Sequence, residues 1–145
     1  MSKKIFIASD HAGFFIKESL NAFVSSLGYA PVDCGPFAED RVDYPEYAHI
    51  VSENVVTHKD SKGILICGSG VGMSIAANKV RGIRSVVCTE PYSAEMSRAH
   101  NNTNVLCLGA RILGLDMAKM IVKVWLETSF EGGRHSDRIK KLRDA

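Results

Sequence analysis

The sequence predicts a single three-layer α/β/α domain of Rossmann-like type, in which helices cover both faces of a five-stranded parallel sheet and residues 1–145 all take part. Five short apolar runs alternate with stretches of helical periodicity, which is the pattern of a parallel sheet buried on both faces. The 145 residues, 46% of them apolar, match one domain with a full core. We find no linker, repeat or low-complexity segment that would divide the chain.

The first half of the chain predicts three strands and two helices. The strands are short apolar runs, at Lys4–Ser9, Ala30–Cys34 and Gly63–Cys67. Between the first two strands, apolar residues at helical spacing predict a helix over 14–27, and Gly28 suits the position just after it. A polar loop then covers 35–44, and Pro45 fits the first turn of a second helix.

The second half repeats this alternation. Two further apolar runs predict strands at Ser85–Cys88 and Val105–Leu108. Helical spacing predicts helices over 73–79, 90–100, 115–126 and 135–142. In the last of these, Ile139 and Leu142 would face inward. The apolar surface of 115–126 is wider than one face of a sheet needs, so this helix is either fully buried or part of a subunit interface.

The charge and hydropathy of the chain exclude several classes of protein. A net charge of +2 is too small to indicate a nucleic-acid-binding protein. No apolar run is long enough to cross a bilayer, and Met1 leads directly into the first strand rather than into a signal peptide. We therefore expect a cytoplasmic protein that binds neither nucleic acid nor a membrane.

The four cysteines form no recognisable framework. They are Cys34, Cys67, Cys88 and Cys107, and no two of them make a CxxC pair. In a reducing compartment this pattern predicts free thiols, and no Cys/His cluster has the spacing of a zinc site. We expect Cys88 and Cys107 to act as small apolar residues of the core.

Polar residues collect where the predicted strands end. In an open parallel sheet, ligands bind beyond the carboxyl ends of the strands. The residues that fall at this edge are Asp10, His11, Cys67, Ser69 and Arg111. The sequence therefore places its candidate site at the carboxyl edge of the sheet.

A glycine-rich turn, Gly68–Gly72, follows the third strand. Three glycines in five residues allow positive φ and close approach of a ligand, and the next helix directs free N–H groups to the same point. The turn predicts a pocket for a phosphate or for an oxyanion formed during a reaction; the alternative is a plain tight turn. A nucleoside triphosphate is disfavoured as the ligand, because Met73-Ser74 stands where a Walker loop needs Lys-Ser/Thr. The dinucleotide-binding fingerprint is only partly present, because its third glycine is misplaced.

Other side chains with acid–base or anion-binding chemistry lie in this turn or at helix ends. Cys67, next to a helix N-terminus, is in a setting that favours a thiolate, and Ser69 can both donate and accept a proton. His100 is either a catalytic residue or a side chain that stabilises the end of its helix. Arg134 and Arg138 share one helix face, which suits a phosphate dianion, although a solvated basic helix end has the same pattern.

Seven motifs occur in order along nearly the whole chain. They are Ser9-Asp-His-Ala-Gly13, Asp43-Tyr-Pro45, Ile66-Cys-Gly-Ser-Gly-Val-Gly-Met-Ser-Ile-Ala-Ala-Asn-Lys79, Gly82-Ile-Arg84, His100-Asn101, Leu108-Gly-Ala-Arg111 and Gly132-Gly-Arg-His135. Together they resemble the ribose-5-phosphate isomerase B family, which also includes galactose-6-phosphate isomerase subunits. One branch of that family uses a glutamate base at the position of Met73. With Met73 and Cys67, this chain resembles the branch that uses a cysteine.

The resemblance implies an aldose–ketose isomerase of the pentose phosphate pathway, which interconverts ribose 5-phosphate and ribulose 5-phosphate through an enediolate. Cys67 would be the base that moves a proton between C1 and C2, and Ser69 would relay a proton between the two oxygens. Backbone N–H groups of 70–74 would hold the oxyanion. His100, helped by Asp10, would open the furanose ring.

The resemblance also implies the residues that bind the substrate. Those that would hold the phosphate are His11, Arg111, Arg134 and Arg138. His135 would lie near them, Tyr44 would lie beside Cys67, and Asn101 would contact a sugar hydroxyl. The glycine-rich turn and the helix start would contribute Gly68, Gly70, Val71, Gly72, Met73 and Ser74.

The resemblance implies a small-molecule sugar phosphate as the partner, with no cofactor and no metal ion. Family members are dimers or tetramers whose site combines residues of two subunits, so we expect a homodimer or homotetramer with a shared site. Two alternatives stay open. One is an isomerase of a six-carbon sugar phosphate, galactose 6-phosphate or allose 6-phosphate. The other is a non-catalytic nucleotide- or flavin-binding module of the same fold class.

Overall fold

The computed structural model describes residues 2–142, which form one five-stranded sheet. The strands are β1 (Lys4–Ser9), β2 (Ala30–Asp33), β3 (Lys62–Cys67), β4 (Ser85–Val87) and β5 (Val105–Gly109). They are all parallel and lie in the order β2-β1-β3-β5-β4. The predicted fold class is confirmed, and no strand end differs from the sequence prediction by more than one residue.

Six helices in the described part of the chain connect the strands and cover the sheet. They are α1 (Phe14–Ser26), α2 (Tyr44–Thr57), α3 (Val71–Asn78), α4 (Pro91–Asn101), α5 (Leu115–Glu127) and α6 (Arg134–Ile139). The third helix begins at Val71 rather than at Met73, because the positive φ of Gly70 completes the turn just before it. None of the helices within residues 2–142 is both long and apolar enough to span a membrane.

The last helix is shorter than the sequence predicts. It spans Arg134–Ile139, and Ile139 is partly buried, as expected. Leu142 lies beyond the helix and is 62% exposed, so its predicted inward position is wrong. Because the helix ends at Ile139, the three-residue helical spacing no longer returns Leu142 to the inner face.

Alternate residues of the strands pack into two cores, one on each face of the sheet. On the first face, strand residues such as Ile5 and Ile64 pack with residues of α1, α4 and α5. On the second face, Phe6, Leu65 and Cys67 pack with residues of α2 and α3. Cys67 therefore ends β3 on the side of the sheet that the glycine-rich turn and α3 cover.

Helix α5 has one buried face and one exposed apolar face. Ala118, Ile121 and Trp125 are fully buried against the sheet, and Trp125 Nε1 donates a hydrogen bond to Thr103 Oγ1 at 3.0 Å. On the outer side, Met120 is 60% exposed, and Leu115 and Met117 are also exposed. The alternative of a fully buried helix is therefore wrong for the single chain, and a subunit interface on this face stays a prediction.

A buried lysine fixes the loop between β2 and α2. Lys17 of α1 is fully buried, and its Nζ donates to the two carboxylate oxygens of Asp33 at 2.9 and 3.1 Å. The same ammonium group donates to the carbonyl oxygen of Pro36. This ion pair ties α1 to the segment that leads to Tyr44, a predicted site residue, and the sequence analysis did not identify it.

Candidate active site

A cleft of about 410 Å³ opens at the carboxyl edge of the sheet. Its lining residues are Asp10, Tyr44, Cys67, Gly68, Ser69, Gly72, Arg111 and Ile112. All except Ile112 are predicted site residues, and they come from separate segments that follow β1, β3 and β5 or begin α2 and α3. Sequence reasoning missed Ile112 because an apolar side chain in a turn carries no chemical signal, although its neighbour Arg111 was identified.

The glycine-rich turn has the geometry of an anion pocket. Gly70 has a φ of +83°, and a Cβ added to it would lie 2.8 Å from Val87 Cγ2, so only glycine fits there. The turn leads directly into the N-terminus of α3 at Val71, where the first N–H groups of a helix have no intrahelical acceptor. The side chain of Met73 is fully buried, so only its backbone N–H is available to an oxyanion.

Cys67 lies between the second core and the cleft. Its side chain is 5% exposed, and its Sγ accepts a hydrogen bond from the N–H of Gly70 at 3.1 Å. Cys88 and Cys107 are buried, as predicted, and burial raises the pKa of both thiols, that of Cys88 to about 11. Burial also raises the pKa of Cys34. Among the four cysteines, all of them described, Cys67 is the one that lines the cleft.

Tyr44, the first residue of α2, packs directly on the glycine-rich turn. A Cβ added to Gly72 would lie 2.7 Å from Cζ and 2.9 Å from the hydroxyl oxygen of Tyr44, closer than side chains approach in proteins. Gly72 therefore makes room for the tyrosine ring. The phenol is held at the same cleft as Cys67, which agrees with its predicted place in the site.

Three predicted residues with charge or hydrogen-bonding capacity surround the mouth of the cleft. The Asp10 carboxylate accepts the N–H of Gly13 at 3.1 Å and lines the cleft. Arg111 donates its backbone N–H to the carbonyl of Gly68 at 3.0 Å, and its guanidinium lies over that glycine, 3.3 Å from where a Cβ would be. His11 follows Asp10 in a short 3₁₀ turn, half-buried, and its Nδ1 has no hydrogen-bond partner.

The remaining predicted residues lie at the opposite edge of the sheet. Helix α4 starts beyond the carboxyl end of β4 and leads to the amino end of β5, so its 11 residues rise about 16 Å across the sheet. His100 and Asn101 are its last two residues. The structure therefore does not bring them together with Cys67 within one chain.

Helix α6 packs beside this end of α4 and adds cations to it. Arg134 and Arg138 are four residues apart on α6, so they share one helix face as predicted, and both are exposed. We call His100, Asn101, Arg134, His135 and Arg138 the amino-edge group. We call Asp10, His11, Tyr44, Arg111 and the segment 67–74 the carboxyl-edge group. Each group contains part of the predicted site.

Two histidines of the amino-edge group are stacked. The rings of His100 and His135 are 4.2 Å apart between centroids and 10° from parallel. His135 is 6% exposed, and its pKa is lowered by burial and by the neighbouring His100 and Arg134. Glu131, which the sequence analysis missed, places its Oε1 3.4 Å from His135 Nε2 and 3.9 Å from His100 Nε2. The one feature of the sequence that could have drawn attention to Glu131 is its position directly before Gly132-Gly133.

The donor atoms of His100, Glu131 and His135 lie within 4.8 Å of one another, a spacing in which one metal ion fits. Imidazole nitrogens bind metals along the ring plane, however, and two nearly parallel rings direct their nitrogens side by side rather than at one point.

The chain is similar to known sugar-phosphate isomerases. The family model described as Ribose/Galactose Isomerase matches residues 5–142. Ribose-5-phosphate isomerase B of Escherichia coli (strain K12) is 51% identical over 140 residues, which cover 97% of this chain and 94% of that protein.

Two solved structures share the fold over nearly their full length. The type B ribose 5-phosphate isomerase of Trypanosoma brucei has a TM-score of 0.95 at 46% identity, covering 98% of this chain and 97% of that one. Ribose-5-phosphate isomerase B of Mycoplasma genitalium with bound ribulose-5-phosphate has a TM-score of 0.94 at 40% identity, covering 98% and 95%. By the extent of these matches, and in agreement with its motifs, the chain belongs to the ribose/galactose isomerase family.

Proposed function

We propose that this protein is an aldose–ketose isomerase that interconverts ribose 5-phosphate and ribulose 5-phosphate through an enediolate intermediate. The observation that carries the proposal is the cleft in which Cys67, Ser69 and the N-terminus of α3 meet. These supply a base, a hydroxyl proton relay and an oxyanion pocket. The family membership and the relatives named for ribose 5-phosphate support the same substrate.

The reaction is a transfer of hydrogen and electrons within the sugar. Cys67 as a thiolate takes the proton from C2 of the open-chain aldose, which leaves an enediolate. The same proton, or one from solvent, then adds to C1, while Ser69 moves a proton from one oxygen to the other. Backbone N–H groups at the start of α3 stabilise the negative oxygen as it forms. Oxidation at C2 balances reduction at C1, so no external electron acceptor takes part.

A complete site requires two copies of the chain. Ring opening pairs His100 with Asp10, and phosphate binding pairs Arg134 and Arg138 with His11 and Arg111, yet the members of each pair lie at opposite edges of the sheet. We infer that the amino-edge group of one subunit faces the carboxyl-edge group of its partner. The exposed apolar side of α5, with Leu115, Met117 and Met120, provides surface for such an association. A two-fold dimer, alone or within a tetramer, then contains two equivalent sites.

The two alternatives have less support. A nucleotide- or flavin-binding module is not favoured, since the matching family is one of isomerases. A six-carbon substrate would need a cleft about one carbon longer, and the relative at 51% identity is named for the five-carbon sugar. Side-by-side turnover of ribose 5-phosphate, galactose 6-phosphate and allose 6-phosphate distinguishes the two sugar sizes.

A coupled assay of ribulose 5-phosphate formation tests the proposal, with and without a thiol-blocking reagent. The wild-type protein should turn over ribose 5-phosphate and lose activity when Cys67 is alkylated. A Cys34→Ala variant is the matched control, because Cys34 lies outside the cleft and its loss should leave both activity and inhibition unchanged. Full turnover after complete modification of Cys67 would rule out the thiolate as the base.

A further inference from the structure

We propose that Glu131 and His135 are positioning residues that orient the His100 imidazole for opening of the sugar ring. The inference rests on the proposed function, in which His100 acts on the furanose form of ribose 5-phosphate. It adds a role for Glu131, which the motifs do not mark, and changes that of His135 from a residue near the phosphate to a support for His100.

The first observation is the stack of the two imidazoles. His100 is 37% exposed on its side chain, whereas His135 is almost completely buried. A ring held by its surroundings and lying 4.2 Å from its neighbour at 10° fixes the plane of that neighbour. The fixed plane sets the direction in which the nitrogens of His100 exchange a proton.

The second observation is the carboxylate of Glu131 at the open end of this stack. Its Oε1 is 3.4 Å from His135 Nε2, a buried nitrogen with no hydrogen-bond partner, and 3.9 Å from His100 Nε2. A shift of about 0.2 Å would close a hydrogen bond to His135, and one of about 0.7 Å would close a hydrogen bond to His100. The carboxylate therefore stabilises a proton on one of the two imidazoles.

The backbone holds Glu131 and His135 in place. The N–H of Glu131 donates to the carbonyl of Ala99 at 3.0 Å, which ties this segment to the last turn of α4. Gly132 and Gly133 have φ values of +73° and +58°, so the chain reverses sharply and brings His135 against His100. These contacts link Glu131 and His135 directly to the helix end that carries His100.

The chemistry of ring opening needs such support. The bond between C1 and the ring oxygen breaks, the His100 imidazolium donates a proton to that oxygen, and the proton of the C1 hydroxyl passes to Asp10. Burial lowers the pKa of His135, which disfavours a proton on that ring, so His135 supports His100 by its position in the stack rather than by its charge. In this step the Glu131 carboxylate offsets the positive charge of the His100 imidazolium.

Two measurements on one enzyme separate ring opening from isomerisation. Ribose 5-phosphate is largely a furanose and must be opened, so its kcat/KM includes the ring step. Ribulose 5-phosphate cannot form a furanose, because its C5 oxygen carries the phosphate. Exchange of its C1 hydrogen with D₂O, followed by NMR, therefore reports the Cys67 chemistry alone.

Glu131→Gln and His135→Asn should each lower kcat/KM for ribose 5-phosphate by about tenfold or more, since a positioned acid–base group contributes about 10²–10⁴ in rate. Deuterium exchange at C1 should stay within about twofold of the wild-type rate, because that reaction does not use the ring step. Glu131→Asp should restore part of the loss. The matched control is Glu127→Gln, an exposed acid of α5, which should change neither rate.

The outcomes distinguish the inference from the proposed function. Equal losses in both rates would show that Glu131 and His135 only maintain the fold. Unchanged rates would show that they do not support His100. Either result overturns the inference. A wild-type protein that neither converts ribose 5-phosphate nor exchanges the C1 hydrogen contradicts the proposed function itself, and the inference falls with it.

Discussion

The backbone N–H of Gly70 donates a hydrogen bond to the Sγ of Cys67 at 3.1 Å. This contact places the sulfur at the start of α3, where the same turn offers further N–H groups to a negative oxygen. The proposed base and the proposed oxyanion pocket therefore lie in one continuous segment of backbone.

Substitution of Cys67 should remove catalysis and leave binding. A Cys67→Ala variant should lose about a hundredfold or more in kcat, the contribution typical of a general base, because no other side chain replaces the thiolate. The dissociation constant for ribose 5-phosphate, measured by calorimetry, should change little. A Cys67→Ala variant with substantial turnover would assign the base to another residue.

The cysteines should differ sharply in reactivity. At neutral pH, below the pKa of about 11 of Cys88, that thiol stays protonated, and the raised pKa of Cys107 has the same effect. Iodoacetamide followed by peptide mass mapping should label Cys67 before Cys88 and Cys107. Ribose 5-phosphate should slow the labelling of Cys67 alone. Equal labelling of Cys67 and Cys107, or no protection by substrate, would contradict the position of Cys67 at the cleft.

The contact between Gly72 and Tyr44 predicts a sensitive position. In Gly72→Ala the new methyl group would overlap Tyr44 Cζ, so either the tyrosine or the turn must shift. We expect kcat/KM to fall by about tenfold or more, since small misplacements at a reacting centre cost up to about 10². Gly114→Ala is the control, because nothing lies within 4 Å of its added Cβ. If Gly72→Ala retains full activity, the tyrosine is not held against the turn.

The partly buried pair of Lys17 and Asp33 predicts a measurable effect on stability. Lys17→Met removes the ammonium partner of Asp33, whose carboxylate is partly exposed and keeps hydrogen bonds from Asn21 and Gly35, so the free energy of unfolding should fall by about 1–3 kcal/mol. Lys17→Met combined with Asp33→Asn should recover part of this loss. The exposed Lys123→Met is the control in the same denaturant titration. A change of less than about 1 kcal/mol in Lys17→Met would mean that the pair adds little stability.

The fold and the carboxyl-edge group could be predicted because their signals are local. Each strand is a short apolar run, and most residues that line the cleft lie at a strand end or just after it, as Cys67 does at the end of β3. A parallel sheet brings all such ends to one edge, so the order of the chain is enough to group them.

The amino-edge group could be identified by motif but not placed. His100 and Cys67 both occur in family motifs, yet only the path of α4 across the sheet shows that they lie at opposite edges. The stack of His100 on His135 depends on how α6 packs, which no periodicity reveals. The burial of Lys17 could not be predicted from its position in α1, because it depends on the contact with Asp33 that the fold creates.

Mixing two inactive variants tests the shared site most directly. Cys67→Ala inactivates the carboxyl-edge group of one subunit, and His100→Gln inactivates the amino-edge group of the other. After the subunits are exchanged by mild denaturation and refolding, half of the dimers are mixed and each contains one intact site. The mixture should therefore show about a quarter of the wild-type activity on ribose 5-phosphate. If mixed dimers form and activity stays at the level of the separate variants, the two groups do not meet across an interface, and the proposed site is wrong.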